Sequence, residues 1–199
     1  MIQTHGSSMT SAHYARLGPQ EREKIHRASL EILERVGVDV HLDEARDLLV
    51  KGGAQADGIR IRIPEYMVAR ALAATPKRIT LYNRSGQAAI RAWGHNTYYG
   101  GGSDCLNILD HRTGERRTPL LQDLKDAVRV QDALPEIDFC MSMVLPSDVD
   151  PGLYDRYQME VMLNNTTKPI VFVTPGLEGC KAAVEMCEVV AGGARSFQR

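Results

Sequence analysis

Apolar residues recur at helical spacing from Pro19 to Gly37, with Ile25, Ile32, Leu33 and Val36 on one stripe, proline in the first turn and glycine at the end. A second helix is predicted after Asp43 as N-cap, carrying Ala45, Leu48 and Leu49 and ending at Gly52-Gly53. The period then changes. "DGIRIRI" alternates Ile59, Ile61 and Ile63 with arginines, as a half-buried strand does, and Pro64 turns it into a third helix that Pro76 closes. "RITLY" and "AAIRAW" read as two strands about the turn "NRSGQ".

Past residue 96 the pattern changes again. "CLNILDHRTGERR" predicts a hairpin turning at Arg112-Thr113-Gly114, and Thr118-Pro119 opens a helix to about Leu134, with Thr118 as cap and Leu121, Leu124 and Val128 facing inward. The continuous apolar runs "IDFCMSMVL" and "PIVFVT" then alternate with the helical stretches "YDRYQMEVMLNN" and "LEGCKAAVEMCEVVAGG". Continuous apolar strands between helices imply a parallel sheet covered on both faces, an α/β arrangement. The expected organisation is a loose arm over 1–18, an N-terminal α+β region over 19–96, and β/α units over 97–199.

Composition narrows the function classes. The 199 residues are 43% apolar and 25% charged, with a formal net charge of −1, enough for a buried core. Lysines and arginines are scattered, which argues against nucleic acid or an anionic membrane as partner and leaves room for a small neutral or cationic ligand. The start lacks the charged-then-apolar order of a leader and no run of about 18 apolar residues occurs, so a cytoplasmic location is expected. Cys105, Cys140, Cys180 and Cys187 form no zinc-ligand spacing. Cys180 and Cys187, seven apart on a predicted helix, read as buried small apolar residues.

The stretch "YYGGGSDC" bears most directly on chemistry. Gly100, Gly101 and Gly102 would let a ligand or a partner come against bare backbone. Tyr98 or Tyr99 could face a cation through its ring, worth about 0.5–2 kcal/mol, and Ser103 and Asp104 follow at once, Asp104 bringing its charge. The alternative is that the glycines permit a tight bend and the tyrosines pack inside. Pro146, Ser147 and Asp148 after "FCMSMVL", and Thr174, Pro175 and Gly176 after "PIVFVT", are nominated by their place at strand ends. Met141 and Met143 read as filling rather than as ligands.

Together, "IHRASLEILERVGVDV", "IRIPEYMVARALAATPKRITLYNR", "YYGGGSDCLNILDHRTGERRTPLLQDLKDAVRVQDALPEID" and "KPIVFVT" resemble the N-terminal part of the trimethylamine methyltransferase family over about residues 21–193. The resemblance implies a (β/α)8 TIM-type barrel behind a helical and small-sheet region, of which this chain holds only the first units, since a barrel takes roughly 250 residues. It also implies transfer of a methyl group from a methylated amine, trimethylamine or a quaternary amine such as a betaine, to the Co(I) corrinoid (cobalamin) of a cognate partner protein. No metal is expected in this chain, and a homo-oligomer is allowed. Trimethylamine-specific members use a pyrrolysine placed in a later part of the barrel, so the amine is left open. The ending "ARSFQR" departs from the family pattern and reads as a truncation, which keeps a non-catalytic, partner-binding remnant in play.

Two other readings are weaker. A dinucleotide site fails because "GGGSDC" lacks the third glycine of the fingerprint and a hairpin follows it. A zinc-dependent corrinoid methyltransferase would need His and Cys ligands at strand ends, and none are convincingly placed.

Overall fold

The computed structural model describes residues 15–197. Most of the expected arm, residues 1–14, therefore lies outside the described residues. The fold mixes helices with small sheets, and no closed barrel occurs among the described residues. Two compact units divide at Lys77 and Arg78.

In the first unit, helix α1 (Pro19–Glu31) opens with its proline in the first turn and runs on through a wider π-type turn, Ile32–Val36. Gly37, at φ 78°, ends it in a backbone region open to glycine, and a Cβ there would strike the Ile61 carbonyl. Strands β1 (Val38–Asp39), β2 (Gln55–Asp57) and β3 (Arg60–Arg62) form an antiparallel sheet in the order β1-β3-β2. Ile61, in the central strand, is fully buried, and Arg60 pairs with Asp39 at 2.7 Å. Helices α2 (Asp43–Lys51) and α3 (Glu65–Ala74) complete the unit.

Two expectations fail in this unit. The stripe predicted to face inward is largely outside, with Ile25, Ile32 and Val36 more than half exposed and Leu30 the buried residue of the helix. Asp43 is the first helical residue rather than the cap. Leu42 holds the cap position, and the Asp43 carboxylate is taken by Arg46.

The second unit begins with the hairpin of β4 (Ile79–Tyr82) and β5 (Ala88–Ala92). Three extended segments follow, around residues 98–105, 138–145 and 169–174. They run parallel, joined by isolated pairings of Gly100 with Phe139, Cys105 with Val144, and Cys140 with Ile170. Between the first two lie the small hairpin of β6 (Ile108–Leu109) and β7 (Arg116–Arg117) and helix α4 (Leu121–Ala133). Helix α5 (Tyr154–Asn165) joins the second to the third, and α6 (Leu177–Ala191) and the short α7 (Ala194–Phe197) follow. Among the described residues no helix is long and apolar enough to cross a membrane.

Helices cover one face of these segments. Leu124 and Val128 of α4 and Val161 and Met162 of α5 close on Val144, with Ile170 and Phe172 against them. Met159, Leu163 and Ala183 join α5 to α6. The other face is more open, with Val171 36% and Val173 47% exposed, so the apolar run "PIVFVT" is not covered on both sides as predicted. The long ladders implied by the apolar runs are also absent. Asp104 (φ 57°) and Met143 (φ 63°) both adopt left-handed backbone, which breaks the regular pairing of two adjacent segments at facing positions.

The start of α4 corrects a local inference. Thr118 is not the cap. The amide of Leu120 donates to the Asp123 carboxylate and that of Leu121 to Asp148 Oδ1, each at 2.7 Å. The far ends of two helices are closed by cations: Lys168 Nζ donates to the carbonyls of Gln131 and Leu134 after α4, and Arg84 to those of Leu163 and Thr166 at the end of α5. Cys180 is exposed rather than buried, whereas Cys187 is half-buried against the α5–α6 core.

Candidate functional site

The parallel segments give the second unit a direction, and the predicted site residues separate along it. Tyr98 and Tyr99 begin the first segment and Asp104 stands near its end, about 15–20 Å away at the rise of extended chain. Tyr98 is held by its hydroxyl, which accepts from the Arg91 amide at 2.9 Å. It shares a recess of about 460 Å³ with Trp93, Phe139 and Val171, and Arg78 stacks over the Trp93 ring at 6.0 Å. Tyr99 exposes half its surface, while its amide donates to Asp138 Oδ2 at 2.8 Å and its carbonyl accepts from the Asp138 amide.

The glycines between them serve different purposes. A Cβ at Gly100 would enter the Phe139 ring, and one at Gly101 would meet the Gln131 side-chain amide. Gln131, buried on α4, uses that amide to bond both backbone groups of Met141, donating to its carbonyl at 2.9 Å and accepting from its N–H at 3.1 Å. The bare backbone of these two positions is thus taken up by this chain's own side chains. Gly102 differs, since nothing stands within 4 Å of where its Cβ would be.

At the other end of the segments the first half of α5 gathers the polar groups. Gln158 is 3% exposed, and its amide nitrogen donates to Asp104 Oδ1 and to the Val144 carbonyl, both at 3.0 Å. Asp155, 4% exposed in the first turn of α5, accepts from the Thr174 hydroxyl at 2.9 Å, which ties the end of the third segment to the same helix. Gly179 of α6 makes room for that bond, because a Cβ there would collide with both Thr174 Oγ1 and Asp155 Oδ2. Burial pushes the Tyr154 phenol up, and the charges of Asp104 and Asp155 add to the effect.

Ser103 is half-buried beside Asp104. Ser147 does not join this group: its amide and its hydroxyl both donate to the Pro119 carbonyl at 2.9 Å, fastening the second segment's end to the start of α4. Among the described residues no group of three or more His, Cys, Asp or Glu side chains is arranged to hold a metal ion.

Residues 3–199 match the family model described as trimethylamine methyltransferase (MTTB). The chain belongs to that family. It is 28% identical, over 97% of its own length, to the trimethylamine methyltransferase MttB of Desulfitobacterium hafniense, covering 39% of that protein. It is 24% identical to a glycine betaine methyltransferase of the same species, over 90% of this chain and 38% of the relative. The MttB of Methanosarcina thermophila is 27% identical over 87% of this chain and 37% of its own. The chain therefore spans less than two fifths of the length of these curated relatives.

Sequence reasoning nominated Asp104 and Thr174 but not Gln158 and Asp155, the residues that hold them. A signal was available. Asp155 and Gln158 lie three apart, and Met159 and Met162 continue the same side of the helix, so two polar residues share a stripe that is otherwise apolar and buried.

Proposed function

We propose that this chain is the N-terminal portion of an amine methyltransferase that passes a methyl group from a methylated amine to the Co(I) corrinoid of a partner protein. The family match over residues 3–199 carries the reading. In it, the three parallel segments are the first strands of a (β/α)8 barrel, a view supported by their shared direction, by helices linking one segment to the next, and by a helical layer on one side only. The working face of such a barrel lies at the C-terminal ends of its strands, where Asp104 and Thr174 stand.

The chemistry asks for little covalent help. From a quaternary amine, or from trimethylamine once it is protonated, the methyl carbon is displaced from nitrogen, the C–N bond breaks with its electron pair going to nitrogen, and the amine leaves neutral. The corrinoid supplies the nucleophile and accepts the methyl group. What the protein must provide is a seat that aligns the N–CH3 bond. Asp104 offers a carboxylate to the cationic nitrogen, and the empty space where a Gly102 Cβ would stand leaves room for the amine on the same stretch, whereas Tyr99 lies at the opposite end of the segment. Because the positive charge disappears in the transition state, such a carboxylate favours binding and orientation of the amine rather than the chemical step. The reading also places the protein in the cytoplasm.

The deciding experiment is methyl transfer to a Co(I) corrinoid protein, run with trimethylamine and with glycine betaine. Transfer that is lost in Asp104→Asn supports the reading. In a second reading the chain binds an amine or partner without turnover. Absence of transfer with both amines, in a chain that still binds a quaternary ammonium, selects it.

A further inference from the structure

We infer that Gln158 is a positioning residue that fixes Asp104 as the anionic seat for a quaternary or protonated amine. The inference rests on the proposed function and adds to it the group that aims the carboxylate.

Asp104 occupies left-handed backbone, φ 57°, although a glycine would hold that conformation without strain and a run of three glycines ends two residues earlier. A carboxylate kept where glycine fits better suggests that the side chain is wanted there. Asp104 Oδ1 is occupied by Gln158, and Oδ2 has no hydrogen-bond partner among the described residues. The side chain is half-buried, so the free oxygen is partly shielded from water. An ammonium facing it would meet a charge that solvent screens incompletely.

The geometry of Gln158 supplies the rest. Its one NH2 group spends both protons, one on Asp104 Oδ1 and one on the Val144 carbonyl. The carboxylate is thereby set at a fixed place relative to the neighbouring segment. Gln158 itself is immobilised on α5 between Met159 and the core cluster at Val144, and at 3% exposure it has no freedom to reach an amine directly. A neutral donor suits this post. Lysine or arginine would cancel the charge of Asp104, whereas an amide orients the carboxylate and leaves its charge available to a ligand.

The test is binding of choline to this chain, set against dimethylbutanol, the neutral carbon isostere that replaces N+ by C. The wild-type chain is expected to prefer choline. Gln158→Met, which keeps length and removes both donors, is expected to weaken choline by about tenfold, the loss of a hydrogen bond to a charged group, and to leave the alcohol unchanged. In an Asp104→Asn background the same change should add little, because the two residues act as one. Asp104→Gly guards against misfolding: it relieves the backbone and removes the charge, so the chain should unfold no more easily than wild type while losing its preference for choline.

A wild-type chain that does not distinguish the two ligands overturns the inference. So does an equal loss of both ligands in Gln158→Met, or a full loss on top of Asp104→Asn. These outcomes are independent of turnover. A chain that prefers choline and transfers no methyl group loses only the proposed activity, whereas one that transfers methyl groups with Gln158→Met unaltered in choline binding loses only this inference.

Discussion

Helices α1 and α4 are each thirteen residues long, yet their apolar residues meet different outcomes. In α4, Leu124 and Val128 are fully buried against α5 and the second parallel segment. In α1 and the π-type turn that continues it, Ile25 and Ile32 remain more than half exposed. Periodicity tells which side of a helix would be covered; whether a cover exists depends on the partner surface. The second unit supplies one from three consecutive helices and three extended segments. The first offers a three-stranded sheet whose strands are two or three residues long.

The contrast can be broken most directly at its strongest point. Leu124→Ala should cost about 2–5 kcal/mol in denaturant unfolding, because it opens a cavity in a filled core. A cost under about 1 kcal/mol would mean that α4 is held no better than α1. Next comes Gly100→Ala, which should cost about 1–3 kcal/mol as its methyl group displaces the Phe139 ring. Equal tolerance of Gly100→Ala and Gly102→Ala would dissolve the distinction between the filled and the open glycines.

Acid sharpens the comparison further, since a helix start in the second unit gathers one arginine and two carboxylates where the start of α2 in the first unit has the single pair of Arg46 and Asp43. Arg117 donates to Asp110 at 2.9 Å and to both oxygens of Asp123 at 2.7 and 2.8 Å. Amides of Arg112 and Thr113, together with this guanidinium, hold Asp110 down at about 2, below its ordinary 3.8, and Arg117 lowers Asp123 as well. A carboxylate depressed by folding stabilises fully above its unfolded value and stops doing so as the pH falls through its folded one. The stabilisation should therefore fade between about pH 4 and pH 2, and Arg117→Met should move the acid unfolding midpoint to higher pH. An unchanged midpoint would show that the cluster is electrostatically idle. The smallest effect belongs to the turn that continues α1: Ile32→Ser should shift stability by no more than about 0.5 kcal/mol, as surface substitutions do, and a larger loss would reveal a partner for the exposed stripe.

Legibility followed the range of the interactions involved. Helices α4, α5 and α6 and the hairpin of β4 and β5 could be read locally because period and turn residues specify them. The cap of α4 could not, because Asp148, one of the residues that meet its first amides, arrives from 27 residues further along. The glycine triplet announced a close approach, but its occupants at Gly100 and Gly101, Phe139 and Gln131, come from beyond the next hairpin. The same holds at the candidate site, where Asp104 and Thr174 were visible as residues at segment ends, while Asp155 and Gln158 showed only as two polar residues on an apolar helical stripe, with nothing nearby in sequence to say what they bond.

Gly179 carries a consequence for how this chain can vary. The Thr174–Asp155 bond occupies the volume that any larger side chain at position 179 would need. The three positions are therefore one unit of inheritance: a chain that keeps the threonine and the aspartate is confined to glycine at 179, and one that gains a side chain there must first give up or redirect the bond. Substitution at 179 alone must displace both bonded oxygens, while a paired change at 174 removes one of them, so drift at this corner of the fold should come in coordinated steps.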